Sequence, residues 1–258
     1  TSKGLARVSE IRAKDVHFIG NEYVVLIASR DTRTVGFRGR YEFSAAFAFD
    51  LATGRSMQLL LGTNDLFPAQ SGLGRIIGVD PAGKEVFMPA YMGVSTTDPA
   101  NHLLRVSLGT GRGRKINGGT GVSSTINWLV DGAGNVVVRE DFSEQFETHE
   151  ISSRQADGQW KEIYHNKAPL PAISAVGLSQ DRKSAYVVDS GDSEFLSLHA
   201  MSLADGAMTG PVLQRDDAEV VGLVSDLNRV VHGVRYSGMY PSYDMFDPAL
   251  DADINSVI

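Results

Sequence analysis

Between Phe47 and Arg55 an apolar run passes into an Asp, a small polar turn and a Gly: FAFDLATGR. The same order returns as LLRVSLGTGR from Leu103, HEISSRQADGQ from His149 and LHAMSLADGAM from Leu198. Its turn glycines, Gly54, Gly111, Gly158 and Gly206, are spaced by 57, 47 and 48 residues. A second phrase, a turn Asp ahead of an apolar run, interleaves with it: VDPAGKEVFM, VDGAGNVVVR, LSQDRKSAYVV and VSDLNRVVHGV. Its Asp80, Asp131, Asp181 and Asp226 are 51, 50 and 45 apart, and FIGNEYVVLIA from Phe18 reads as an earlier copy with Asn21 in the turn. Two interleaved signals of one period establish an internal repeat of about 50 residues, which constrains the fold more than any local pattern.

Each unit holds about four short apolar runs separated by turn chemistry. Asp-x-x-Gly pieces suit type I turns, with Asp bonding the turn amides and Gly in the left-handed position. The runs are rich in Val, Ile, Tyr and Phe, and 27 Gly with 9 Pro punctuate the chain, which favours strands. Tyr23–Ile27 and Val136–Val138 are apolar at consecutive positions, so both faces of those strands are expected to be covered. A β-propeller supplies such cover, because each four-stranded antiparallel blade lies between two neighbours. FAFDLATGR is then expected to be the outer strand of a blade. An ordinary β-sandwich has similar turns but predicts no shared long period. The expected fold is therefore all-β, a propeller with about five blades, roughly 15–60, 73–117, 122–165, 172–214 and 217–258, within a single domain or fragment spanning 1–258.

Composition narrows function mainly by exclusion. A net charge of −7 argues against a nucleic-acid surface; Arg30, Arg33, Arg38 and Arg40 are interrupted by Asp31 and lack an aromatic row. No cysteine is present, so disulfides, thiolate metal sites and a Cys nucleophile are excluded together. No run approaches the ~18 apolar residues of a spanning helix, and no membrane partner is expected.

The search for chemistry finds no catalytic, cofactor or metal residues to assign. No Ser stands in Gly-x-Ser-x-Gly; GVSST around Ser123 and GLSQD around Ser179 lack the last Gly. His17, His102, His149, His165, His199 and His232 are scattered, with no pair at metal-ligand spacing. The acidic run Glu140, Asp141, Glu144, Glu147 and Glu150 offers cation-type oxygens but reads better as a solvated hairpin loop. DSGDSE, Asp189 to Glu194, is half of a calcium loop and reads as a turn between strands. GTGRGRKINGG, Gly109 to Gly119, is Gly-rich like a phosphate cradle, but it opens no helix and reads as a connection between blades. Arg235, Tyr236, Tyr240, Tyr243 and Phe246 form an aromatic group that lines a pocket or packs a blade.

The last thirty residues carry a resemblance. VVHGVRYSGMYPSYDMFDPALDADINSVI, Val230 to Ile258, resembles the late-propeller segment of bacterial prolyl oligopeptidase-type serine peptidases. Its Val234 and Tyr236 stand where that family ends a strand, Pro241 in the following loop, and Phe246-Asp247-Pro248 before a short helix, here Ala249 to Val257. The family's α/β-hydrolase domain, with its Gly-x-Ser-x-Gly, has no counterpart, so no catalytic residue carries over. What the resemblance implies is a non-catalytic domain, the middle five blades of a seven-bladed propeller, gating peptide substrates for a hydrolase domain of the same parent chain. Periplasmic or secreted localisation follows from that family alone. Cut from such a parent, the blades are expected to close on themselves or to self-associate through apolar faces of the terminal blades. The alternatives are a stand-alone propeller acting as a binding or scaffold module, and, less well supported, a complete five-bladed glycosidase. The last needs inward carboxylates at matched positions, and the repeats show none.

Overall fold

Both recurring phrases are hairpins. A computed structural model describes residues 11–33, 38–68, 70–93, 99–118, 124–191 and 193–257 and shows an all-β chain of five successive antiparallel sheets, a β-propeller. The first contains β1 (Arg12–Ile19), β2 (Tyr23–Thr32), β3 (Tyr41–Asp50) and β4 (Ser56–Gln58), in that order; β5 (Gly72–Leu73) pairs parallel with β3 beyond the end of β4. The second contains β6 (Gly78–Val79), β7 (Glu85–Met92), β8 (Ala100–Ser107) and β9 (Gly113–Gly118). The third contains β10 (Ser124–Val130), β11 (Val136–Ser143), β12 (Thr148–Arg154) and β13 (Trp160–Lys167). The fourth contains β14 (Ala175–Leu178), β15 (Ser184–Asp189), β16 (Ser197–Ser202) and β17 (Met208–Leu213). The fifth has three strands, β18 (Val220–Ser225), β19 (Val231–Tyr236) and β20 (Ser242–Met245), followed by α1 (Pro248–Asn255).

The Asp phrase closes the hairpin between first and second strands. Asp80 shows how: its carboxylate accepts from the backbone amides of Lys84 and Glu85, each at 2.7 Å. FAFDLATGR and its three copies close the hairpin between third and fourth strands. The expectation of an outer strand is corrected here. FAFD lies on β3, the third strand, with β2 on one side and β4 on the other; its turn leads to the outer strand. Gly54, Gly111, Gly158 and Gly206 all have positive φ, between 68° and 82°, as the turn requires. Antiparallel order puts both kinds of Asp–Gly turn at one end of each sheet and the second-to-third-strand loops at the other.

Two compact units divide the chain after residue 120, with the turn 132–134 belonging to the first. In the first unit Val86, Phe87 and Met88 are buried in succession, so β7 is covered on both faces. The first two sheets are stitched by Leu60 N donating to Gly111 O at 2.7 Å and by Gly113 N donating to the Thr63 hydroxyl at 2.9 Å. Tyr23–Ile27 departs from its expectation: Val25 is fully buried, but Val24, Leu26 and Ile27 are half-buried. Val24 pairs across from Phe18 and Leu26 across from Val16, and those partners are 72% and 48% exposed. That side of the first sheet is an apolar face open to solvent.

In the second unit two apolar layers hold the sheets. Leu129, Val138, Ile151, Leu178, Val187 and Met201 join the third and fourth, while Tyr186, Leu198, Val220, Val231 and Val234 join the fourth and fifth. Each such Leu, Ile or Val, fully buried, contributes about 1.5–3 kcal/mol. Turn glycines enable the close approach. A Cβ on Gly206 would collide with the backbone carbonyl oxygen of Ile163 on β13, and one on Gly111 would come within 2.7 Å of Gln58 O. Helix α1 forms where the sequence predicts it: Pro248 opens it, and Asp247 caps it by accepting from Ala249 N at 2.8 Å.

Candidate functional site

The acidic run does not form a loop. Its first two members stand on β11, Glu140 wholly buried and Asp141 5% exposed, because an inner strand of a blade is covered on both faces; Glu144 and Glu147 occupy the exposed β11–β12 turn. The run is thereby split between interior and solvent, and only Glu150, on β12, stands with other possible metal ligands, Glu162 and His165.

Glu140 instead anchors a buried polar network in the second unit. One carboxylate oxygen lies 3.0 Å from His149 Nε2 on β12. The other accepts from the Ser174 hydroxyl at 3.0 Å, Asn127 Nδ2 on β10 at 3.1 Å and Ala175 N at 3.2 Å. Four donors around one carboxylate are what makes a fully buried acid tolerable. His149 is wholly buried too, wedged edge-on between the rings of Phe142 and Tyr164, and its Nδ1 makes no hydrogen bond to a described residue. Burial raises the Tyr164 hydroxyl above its ordinary pKa.

Arg229 completes the network from the fifth sheet's first hairpin. Its guanidinium donates to Asn127 Oδ1 (2.8 Å), Val176 O (2.8 Å), Trp128 O (3.1 Å) and Ala175 O (3.2 Å). One side chain thus ties three sheets together. Arg229 also has φ +58°, at the turn position that Gly83 and Gly134 fill in the second and third sheets. An arginine in a left-handed position costs about 1–2 kcal/mol over glycine, and its four acceptors offset that. The arrangement is a structural clamp: every hydrogen bond named here joins one sheet of the second unit to another or closes a sheet on itself.

The remaining candidates are dispersed. His17, His102, His165, His199 and His232 lie on β1, β8, β13, β16 and β19. His102 holds its proton less readily than usual, through burial first and the Lys115 charge second. Ser179 donates to Asp181 at 2.7 Å within the β14–β15 turn. Ser123, Gly119 and Asp192 lie outside the described residues. GTGRGRKINGG is corrected from a connection between blades to the β8–β9 hairpin with strand β9, inside one blade. Its first amides are engaged within the protein: Gly111 N donates to Ser107 O, Thr110 N to the Ser107 hydroxyl and Gly113 N to the Thr63 hydroxyl.

The aromatic group packs more than it lines. Tyr236 is buried beneath Arg215, 4.3 Å from its ring centre, and Arg215 pairs with Asp244 at 2.6 Å. Burial, with Asp244 adding to it, holds the Tyr236 hydroxyl far above the usual phenol range. Phe246 stacks on Tyr186 at 5.4 Å. Tyr240, by contrast, is 76% exposed. Glu150, Glu162 and His165 offer one nitrogen and two carboxylates within 4.8 Å on the solvent side of β12 and β13, a donor set of metal-binding type. Here His165 Nδ1 faces the two acids at 3.6 and 3.7 Å.

Asn127, Ser174 and Arg229 were not singled out by the sequence, and Glu140 and His149 were not paired. One signal was present: when the Asp phrases are superposed, Arg229 falls where a glycine belongs.

Comparison with known proteins shows the fold. No family model matches the sequence, and no curated protein matches it either. Among solved structures the chain is similar to prolyl oligopeptidase B from Galerina marginata, with a TM-score of 0.56 at 8% identity over 93% of this chain. A mutant of that enzyme bound to a 35mer hydrolysis and macrocyclization substrate gives a TM-score of 0.53 over 92%. The chain spans about a third of that enzyme's length, 34%. An oligogalacturonate lyase in complex with manganese matches at 13% identity over 89% of this chain and 63% of its own, with a TM-score of 0.48. The class these observations define is a β-propeller.

Proposed function

We propose that this chain is the non-catalytic propeller of a prolyl oligopeptidase-type serine peptidase, restricting which peptides reach a hydrolase domain of the same parent. The observation that carries this reading is the likeness, over 93% of the chain, to a third of a prolyl oligopeptidase. The final segment around Phe246-Asp247-Pro248 and α1 supports it from the sequence side. So does a surface of the second unit. Phe146, Leu170, Met239 and Tyr240 are all exposed, from 52% to 90%, in loops at the sheet ends away from the Asp–Gly turns. Exposed apolar side chains gathered at one end of three sheets suit a partner domain. In this reading the five sheets belong to a propeller with more blades. The open apolar face bearing Val16 and Phe18 is where a further blade, or a second copy of the fragment, packs.

Reading the coding frame beyond Ile258 tests the proposal. An in-frame α/β-hydrolase domain with Gly-x-Ser-x-Gly is expected; a stop codon overturns the proposal and leaves a stand-alone binding propeller. Light scattering tests self-association separately: a concentration-dependent dimer is expected, and a monomer at all concentrations contradicts it.

A further inference from the structure

Between the facing residues of β2, β3 and β5, the surface of the first unit folds into a cleft of about 480 Å³. Arg30 and Arg33 line it together with Phe43, Phe47, Thr32 and Gln58. Both arginines are exposed, and neither forms an ion pair with a described residue. The carboxylates beside them in the strand register are already engaged. Asp31 is held by Arg12 at 2.7 Å; Glu42 is held by Lys14 at 2.7 Å and by the Ser29 hydroxyl at 2.6 Å. Arg40 donates to Asp31 O at 2.8 Å. This end of the sheet therefore presents Arg12, Lys14, Arg30, Arg33, Arg38 and Arg40 against Asp15, Asp31 and Glu42, in a chain whose net charge is −7.

A guanidinium without an acid is a ready carboxylate receptor, since its planar donors match two carboxylate oxygens. Phenyl walls add an apolar surface beside the charge. The cleft's volume falls within the ~300–1,000 Å³ usual for small-ligand sites. A long polyanion is disfavoured by the net negative charge of the whole chain, whereas a single carboxylate is not. We infer that the cleft binds a carboxylate carried by a short peptide with an apolar side chain next to it. The carboxylate is either the free C-terminus or an acidic side chain, and the chemistry of capture is the same. This site requires no hydrolase, but Arg30, Phe43 and Phe47 share a face of β2 and β3 with Val24 and Leu26, so the inference concerns the chain with that face uncovered.

Calorimetric titration of the purified chain tests the inference with four probes. They are an apolar tetrapeptide with a free C-terminus, its C-terminal amide, that amide with one glutamate introduced, and inorganic phosphate. Binding of the free acid or of the glutamate peptide supports the inference and tells the two sources apart. Arg30→Gln and Arg33→Gln are each expected to weaken that binding about tenfold, the loss of one charge-assisted contact, and the double variant to abolish it. Both arginines are exposed, so unchanged melting is expected to accompany the loss. The inference is overturned if no peptide binds, if the neutral amide or phosphate binds as tightly as the acids, or if the double variant retains its affinity.

Discussion

Replacing Gly206 by Ala tests how neighbouring sheets meet. Gly206 sits in the β16–β17 turn with φ +80°, and the Cβ added there would collide with Ile163 O on β13. The left-handed backbone costs alanine about 1–2 kcal/mol. Relieving a collision with main chain adds about 1–3 kcal/mol, as overpacking does elsewhere. Gly206→Ala is thus expected to destabilise the protein by about 2–5 kcal/mol. Gly54 supplies the control: it fills the same turn of the first sheet with φ +71° and meets no atom within 4 Å, so Gly54→Ala is expected to cost only the backbone part, about 1–2 kcal/mol. Urea unfolding followed by circular dichroism compares the two through their midpoints. Tryptophan fluorescence adds a local reading for Gly206, because Trp128 and Trp160, the chain's two tryptophans, both lie in the third sheet beside it. Equal midpoints for Gly206→Ala and Gly54→Ala would refute the packing of the fourth sheet's turn on the third.

Three further outcomes follow from the same geometry. Glu140→Ala strands four buried donors and is expected to cost about 3–5 kcal/mol by tryptophan-monitored urea unfolding; Glu140→Gln, which keeps the shape, is expected to cost less, and a loss below about 1 kcal/mol in the alanine variant would contradict the clamp. Arg229→Gly relieves the left-handed arginine but removes the guanidinium bonds to Asn127 Oδ1 and to the carbonyls of Trp128, Ala175 and Val176, for a net destabilisation of about 1–3 kcal/mol; a gain in stability would show that the guanidinium bonds contribute nothing. Asp50, Asp181 and Asp205 hold protons less readily than ordinary carboxyls, through the Thr53 amide, the Ser179 hydroxyl and the Ser202 hydroxyl respectively. A carboxyl whose folded pKa is depressed stabilises fully above its unfolded pKa of about 4 and loses that contribution as pH falls through the folded value. The melting temperature is therefore expected to stay level above about pH 5 and to fall on acidification below 4, and a rise over that interval would reverse the sign.

How far the sequence was legible follows from how local each feature is. Turn chemistry needs only a few neighbours, so the Asp and Gly phrases exposed the repeat, whereas the short helix after Asp247 was expected from the family resemblance alone. The place of FAFD within its blade was not legible, because the phrase records a hairpin without saying which side of it faces the sheet edge. Glu140 and Asp141 were misplaced for a different reason: charge normally marks solvent, but here an inner strand carries both acids between two covered faces. The clamp was beyond pattern reading altogether. Asn127 and Arg229 stand 102 residues apart and meet only because the third and fifth sheets both reach the start of the fourth. An apolar face on a terminal blade was expected, but not that Val24 and Leu26 would lie on it, since they look like interior residues whatever their cross-strand partners do.

Separation of scaffold from chemistry is the central claim, and a hydrolysis assay on the purified chain measures it directly. Incubated with fluorogenic proline-containing peptides, the chain is expected to release product at the rate of the buffer blank. Turnover that rises in proportion to protein concentration would place a working nucleophile inside these five sheets and contradict the account.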